Sequence, residues 1–374
     1  MTERLATLLR EEASALEIPP PHLPDIMVEG HRLRRRRLVT SGLAAAAVLA
    51  VFGSAALVAL NHSDRPGTAP EQKLDPATAA YLSGGAFSAG RTVYFGDRAQ
   101  HRATLPEDIK SLYYTSSGVV ARTGDNAESD DPGPSHYSLV TPAGEVRRLD
   151  LDLGDRVPST DPGQPYLAYA DKAGDGWVAV VRDVVTDEEV ARVPVPGDFT
   201  WGGWLAPPVA LSGDTVFVGM DQAGIAVDWR AGTTTVADRM GPEAYPSATG
   251  GRDVASTRGA STIYDVASGE KLLRIPTEPD RYPYVTLSPD GRFAELINQD
   301  ESEGTAFTVY GVDSGTVQTI RGAAWDFGWT PDGHLFAVTR TELTVCDPGT
   351  AECETHPVDV GAGGLKLGGK AYES

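Results

Sequence analysis

The sequence predicts an all-β protein: a β-propeller, with seven blades preferred and six or eight as alternatives, preceded by one transmembrane helix and a short cytoplasmic amphipathic helix. Three observations carry that reading. Asp-Gly and related glycine turns recur about every 40 residues through the larger, C-terminal part of the chain. Glycine (41) and proline (27) make up about 18% of the 374 residues, against an average near 12%, so turns are frequent and long helices scarce. A run of 23 residues without a charge, 38–60, stands near the N-terminus.

Residues 1–37 read as a cytoplasmic tail. Leu5, Leu8, Leu9, Ala13 and Leu16 fall at helical spacing, and Pro19, Pro20 and Pro21 stop the helix. So short an amphipathic helix is marginal in water by itself, which makes residues 1–18 a candidate docking segment for a cytoplasmic partner. Residues 38–60, as a helix, span about 34 Å, enough for a hydrocarbon core of roughly 30 Å. Arg34, Arg35, Arg36 and Arg37 stand against its first edge and set that edge on the cytoplasmic side. A cleaved signal peptide would have a shorter apolar stretch, about 7–15 residues, and a small-x-small cleavage site, which Leu57-Val58-Ala59 matches poorly. Residues 61–80, with Pro66, Gly67, Pro70 and Pro76, read as a linker. The expected location is therefore the cell membrane, single-pass, with residues 81–374 extracytoplasmic.

From Tyr81 onward, β-branched and aromatic runs alternate with Gly, Asp, Pro and Ser turns, the all-β pattern. Residues 285–294 (VTLSPDGRFA) and 327–336 (FGWTPDGHLF) match, with their Asp-Gly pairs 42 residues apart. Gly251, Gly213 and Gly176 continue the series backward at steps of 40, 38 and 37. Gly118 and Gly90 follow at 58 and 28, the long step holding a polar insertion, 123–135. A second series interleaves, as in 263–270 (IYDVASGE) and 309–316 (VYGVDSGT). Each unit thus alternates two tight turns in which glycine takes positive φ and Asp or Ser bonds its own turn backbone. Four strands in about 40 residues is the length of one propeller blade. A single blade cannot bury both faces, so blades must stack around an axis, and the tail 364–372 is expected to complete the ring beside Arg91–Phe95.

The Leu-Ser-Pro-Asp-Gly-Arg-Phe segment resembles the WD40-like, TolB-type propeller repeat families, a resemblance that covers roughly residues 81–370 and is clearest in the last two repeats. An arginine-flanked anchor before such a domain also resembles a type of actinobacterial envelope protein. Propellers often serve as binding platforms, and no cofactor is expected.

Cys346 and Cys353 flank a turn and, outside the cytoplasm, are expected to form a disulfide. Asp150, Asp152 and Asp155 alternate with leucines and lack EF-hand spacing, so they read as the wet face of a strand and no metal site is expected. Net charge is −20 overall, and since residues 1–37 hold seven basic and six acidic groups, the acidity is external and excludes nucleic acid as a partner for the whole surface. No nucleophile elbow, zinc helix, phosphate loop or dinucleotide glycine cluster occurs, and no catalytic residue is assigned. Of the clustered aromatics, Trp201, Trp204 and Tyr282 have Gly or Pro neighbours and are the candidate binding residues. Two functions remain: a non-catalytic binding or sensing module for a protein, peptide or glycan at the cell surface, or an extracytoplasmic hydrolase or lyase with residues gathered around the propeller axis.

Overall fold

The computed structural model describes residues 75–129, 133–154, 156–201, 204–278, 284–297 and 306–370. The tail helix, the span 38–60 with Arg34–Arg37, residues 61–74 of the linker, and Tyr282 lie outside the described residues. Among the described residues no helix is long and apolar enough to cross a membrane.

The helix α1 (Pro76–Gly84) begins the described chain. Its cap is Asp75, whose carboxylate accepts from the Ala77 N–H at 2.9 Å and holds that acid below its usual pKa through the Thr78 hydroxyl and the Ala77 amide; Gly85, at φ 67°, ends the helix. The expected linker boundary at residue 80 falls inside this helix.

The strands after it form seven four-stranded antiparallel sheets, the blades of a propeller. Blade 1 holds β1 (Ala86–Ala89), β2 (Thr92–Phe95) and β3 (His101–Thr104); blade 2 holds β4 (Asp108–Thr115), β5 (Gly118–Gly124), β6 (His136–Val140) and β7 (Val146–Arg148). Blade 3 is β8 (Ser159–Thr160), β9 (Tyr166–Ala173), β10 (Gly176–Asp183) and β11 (Glu188–Val195). Blade 4 is β12 (Val209–Ser212), β13 (Thr215–Gly219), β14 (Gly224–Asp228) and β15 (Thr233–Val236). Blade 5 is β16 (Ala248–Thr249), β17 (Arg252–Thr257), β18 (Ala260–Asp265) and β19 (Lys271–Pro276). Blade 6 is β20 (Tyr284–Leu287), β21 (Phe293–Ile297), β22 (Ala306–Gly311) and β23 (Val317–Arg321). Blade 7 is β24 (Phe327–Trp329), β25 (Leu335–Val338), β26 (Glu342–Cys346) and β27 (Cys353–Pro357), and β28 (Leu365–Leu367) then returns to blade 1.

In each of blades 2 to 7 the first strand lies nearest the axis, and β28 takes that place in blade 1. Outer strands such as β7, β15 and β27 are mostly exposed and carry Arg, Thr and Glu, side chains that discourage edge pairing. The tail does not join Arg91–Phe95. That segment contains β2, both of whose edges are taken by β1 and β3, so β28 pairs with β1 instead, Phe87 opposite Leu367 and Ala89 opposite Leu365.

Because antiparallel strands alternate direction, the turns between first and second and between third and fourth strands share one face of the ring, here the turn face. The opposite, connection face carries the second-to-third loops and the links between blades. The matched repeats form one turn twice. In blade 6 the Ser288 hydroxyl accepts the Phe293 N–H at 2.9 Å and donates to Asp290 at 2.6 Å; in blade 7 Thr330 accepts from the His334 N–H at 2.9 Å and donates to Asp332 at 2.6 Å. Gly291 and Gly333 sit at φ 73° and 82° in those turns, where other residues are strained. Gly176 departs from the expected series. It lies in the β9–β10 hairpin on the connection face, and its place on the turn face is taken by Asp161-Pro162-Gly163 between β8 and β9. Gly90 also sits one hairpin along, between β1 and β2, because in blade 1 the first turn is replaced by the break between β28 and β1.

Side chains and backbone link these turns around the ring. Ser116 N–H bonds Gln164 O (3.0 Å), Gly213 N–H bonds Asp161 (2.7 Å), Gly251 N–H bonds Ser212 (2.9 Å), Thr249 bonds Pro289 O (3.0 Å), and Arg292 reaches Asp332 O. At the missing turn of blade 1, α1 fills in. Leu82 O accepts the Asp332 N–H from blade 7, and the fully buried Tyr81 hydroxyl bonds Thr115 O and Gly118 O of blade 2, both at 3.0 Å.

The core is divided between blades. Ala168, Val181, Leu211, Val216 and Trp229 pack blade 3 on blade 4; Val285, Leu287 and Ile263 pack blade 6 on blade 5; Phe87, Phe336 and Leu343 pack blade 1 on blade 7. The thinnest layer, Ala210, Phe217 and Met240 with partly buried neighbours, lies between blades 4 and 5. The 149–154 segment is an extended link between β7 and β8 rather than a ladder strand. Leu149, Leu151 and Leu153 do point inward between blades 2 and 3, but the backbone is held by irregular bonds such as Asp150 N–H to Asp187 (2.8 Å).

Cys346 and Cys353 are bonded in a disulfide, opposite one another across β26 and β27. Chain entropy puts the worth of so short a crosslink at about 2.5 kcal/mol. Reducing it should lower the urea midpoint by about that free energy divided by the m-value while leaving m unchanged; a midpoint unaffected by reductant would refute this.

Candidate functional site

A cavity of about 150 Å³ lies on the propeller axis. Its walls come from the inner strands and the segments leading into them: Ser111–Tyr114 of β4, Ser159 and Thr160 of β8, Val209 and Ala210 of β12, 245–249 entering β16, Leu287 of β20, and Lys366 and Leu367 of β28 with Lys370 beyond. These residues line it because inner strands expose only their axial edge to the centre. Its described lining holds hydroxyls, apolar groups and two lysines, and no Asp, Glu, His or Arg. The Ser111 and Tyr113 hydroxyls are buried there without a hydrogen-bond partner.

Beside Lys370 lies a second polar cluster between blades 6 and 7. Glu295 on β21 is 4% exposed, accepts one bond from Thr286 at 3.5 Å, and has its Oε1 unpartnered. Burial pushes its pKa up to about 7, while the Trp329 indole beside it, Lys370 and Thr286 pull the other way. Burial also lowers the Lys370 pKa, opposed by Glu295 and Asp326, and the Lys370 ammonium donates to Trp325 O.

The predicted binding aromatics part company here. Trp204 is 41% exposed on the connection face and packs at 5.6 Å on Tyr245, which lines the cavity. Trp201 is a half-buried packing residue: it meets Phe199 at 5.2 Å, its ring lies over Gly219, and its indole N–H is buried without a partner. Tyr282 lies outside the described residues. Trp325, which was not singled out, is 43% exposed on the same face and stacks on Tyr284 at 6.4 Å. Trp229 and Trp329 are buried between blades. Lys366, Lys370, Ser111, Tyr113 and Glu295 were missed. The one available signal was the tail itself, since a closing inner strand must turn some side chains toward the axis. Among the described residues no group of His, Cys, Asp and Glu is arranged to hold a metal ion.

No protein-family model matches the chain, and no curated protein sequence matches it. Solved structures similar to it include hydrazine synthase of Kuenenia stuttgartiensis (14% identity over 64% of this chain and 76% of that one, TM-score 0.39). Hsv2 of Kluyveromyces lactis is similar at 16% identity over 65% and 75% (TM-score 0.43). A functionally unknown protein from Desulfotomaculum acetoxidans is similar at 13% over 75% and 98% (TM-score 0.44). The class of protein therefore rests on the sheets themselves: this is a seven-bladed β-propeller.

Glu295 generates a pH prediction. Its folded pKa lies above the usual 4.5, so between about 4.5 and 7 the native state binds more protons than the unfolded one, and stability falls as pH rises through that window. The loss should reach about 3 kcal/mol and level off above pH 7. Glu295→Gln should flatten the profile, as read by urea unfolding at pH 5, 6, 7 and 8; a variant with the parent's slope would show that another group titrates.

Proposed function

We propose that the chain is a single-pass, membrane-anchored propeller whose extracytoplasmic domain is a non-catalytic interaction module of the WD40-like grouping. Its partner would be a protein, peptide or glycan at the cell surface, with residues 1–18 free to engage a cytoplasmic protein. The observation that carries the binding role is the exposed Trp204 resting on Tyr245 at the cavity mouth, with Leu205 (65% exposed) and Trp325 on the same face. Large amphipathic side chains held by a rigid scaffold are the usual anchors of an interface. On the turn face α1 bonds blades 7 and 2, whereas the exposed Trp204, Leu205 and Trp325 lie on the connection face. The cavity lining, without convergent carboxylates, His or Arg among the described residues, supports binding over the hydrolase or lyase alternative. The arginine-flanked apolar run and the disulfide support the location.

Protease shaving of intact cells should degrade the propeller and spare the 1–37 tail; protection of the C-terminal portion would reject the topology. A glycan array and pull-downs from cell-surface extract should identify a ligand of the full chain. Trp204→Ala should then weaken that ligand by about 2 kcal/mol, roughly thirtyfold. The same change should move folding stability by less than about 1 kcal/mol. Undiminished affinity in the variant would remove the connection face as the binding surface.

A further inference from the structure

We propose that Glu295 and Lys370 form an acid-released latch: the ionised carboxylate holds the Lys370 ammonium, and with it residues 368–370, against the layer between blades 6 and 7. Protonation of that carboxylate frees the strap together with the Trp325 carbonyl it holds. The latch needs no ligand and stands apart from the binding role of the connection face.

The course of the chain is the first argument. Beyond β28 the Gly368 N–H still bonds Ala86 O of blade 1 at 2.9 Å, and the backbone then crosses against the inner strand of blade 7. The crossing requires glycine at both steps. A Cβ on Gly368 would lie 2.5 Å from the Tyr114 ring, and one on Gly369, at φ 71°, would lie 2.3 Å from Trp329 O. The strap then reaches Lys370, whose ammonium donates to Trp325 O. Trp325 sits in the short helical turn Ala324–Asp326 that leads into β24, and its indole is exposed on the connection face. One side chain therefore ties the ring-closing segment to an exposed aromatic group.

The charges around the pair are the second argument. Glu295 on β21 is buried, accepts from Thr286 of β20, and keeps Oε1 unpartnered beside the Trp329 indole of β24; the charged group that acts on it is Lys370. Lys370 in turn feels Glu295, then Asp326 of the link before β24, and is repelled by Lys366 of β28. Asp326 is exposed, so water screens it, and the buried carboxylate supplies most of the attraction. Burial raises the Glu295 pKa to about 7, so its charge changes near neutrality. Above that pH the two groups carry opposite charges. Below it Lys370 keeps the repulsion of Lys366 against the screened Asp326 alone.

Hydrogen exchange of the full chain at pH 5 and pH 8, corrected for the intrinsic pH dependence of amide exchange, tests the latch. Protection of 364–370 and 322–330 should fall severalfold at pH 5, while stability to urea rises and blade 4, read at 209–219, keeps or gains protection. The opposite signs separate release of the strap from global unfolding. Glu295→Gln and Lys370→Met, each keeping the parent's circular dichroism spectrum, should show the low protection of 364–370 at both pH values. Should Glu295→Gln fail to fold, Lys370→Met alone decides. Protection of 364–370 that is equal or higher at pH 5, or a folded variant that retains the parent's pH difference, would overturn the proposal.

Discussion

A four-stranded blade has two apolar faces and cannot bury either one alone. Every other feature of the molecule follows from that constraint. The buried residues do not gather in one central mass; they lie in layers, each shared by consecutive blades. A row of such layers is stable only if it has no ends, and the ends meet where β28 pairs with β1. Bringing together positions roughly 280 residues apart costs about 5 kcal/mol in the length-dependent part of loop closure. Full burial of Phe87, Phe336 and Leu343 at that seam returns about 5–9 kcal/mol. Three strand residues can therefore close so large a ring because the layer behind them supplies the free energy. The helix α1 belongs to the same solution, since it bonds blades 7 and 2 at the position where blade 1 has no turn.

That constraint also explains which features can be read from the sequence. The turns are local: Ser-Pro-Asp-Gly and Thr-Pro-Asp-Gly spell out a hydroxyl, a carboxylate and a positive-φ glycine within a few residues, and the structure forms the same bonds from both. Blade number followed from them. The strand β8 is only Ser159–Thr160, too short for any periodic signal, so Gly176 in the longer β9–β10 hairpin drew the repeat frame one turn out of phase. The alternation at Leu149–Leu153 correctly marked inward and outward residues but not the absence of a partner strand, because burial depends on side chains and pairing on a neighbour far along the chain. The cavity was illegible for the same reason: Ser111 and Lys366 are neighbours only after closure.

The charge distribution is sharper in space than in sequence. Acidic residues sit mainly on exposed strands and turns, where water solvates them, while the axis carries lysines. Among the described residues Asp161, Asp253 and Glu295 are the buried exceptions, and Glu295 measures the cost. It is buried between blades 6 and 7 with one carboxylate oxygen unpartnered, and its raised proton affinity reports how poorly that layer accommodates the ionised form. Lys370 offsets part of the penalty, and in doing so couples the C-terminal segment, beyond the closing strand, to the blade 6–7 layer.

The two faces of the ring are left with different freedoms. On the turn face, most neighbouring turns are joined by hydrogen bonds and α1 spans the gap, so an altered turn disturbs its neighbours. Gly250, for example, has no room for a Cβ, which would lie 2.3 Å from the Asp290 carbonyl carbon. The connection face has longer segments between blades, including 196–208 and 237–247, whose tips carry Trp204 and Tyr245. Side chains there can change without breaking the inter-blade layers, because the strands that bury the core end before the links begin. A propeller built in this way separates what closes the ring from what meets a ligand, and in this chain the exposed aromatic groups fall on the side that closure leaves unconstrained.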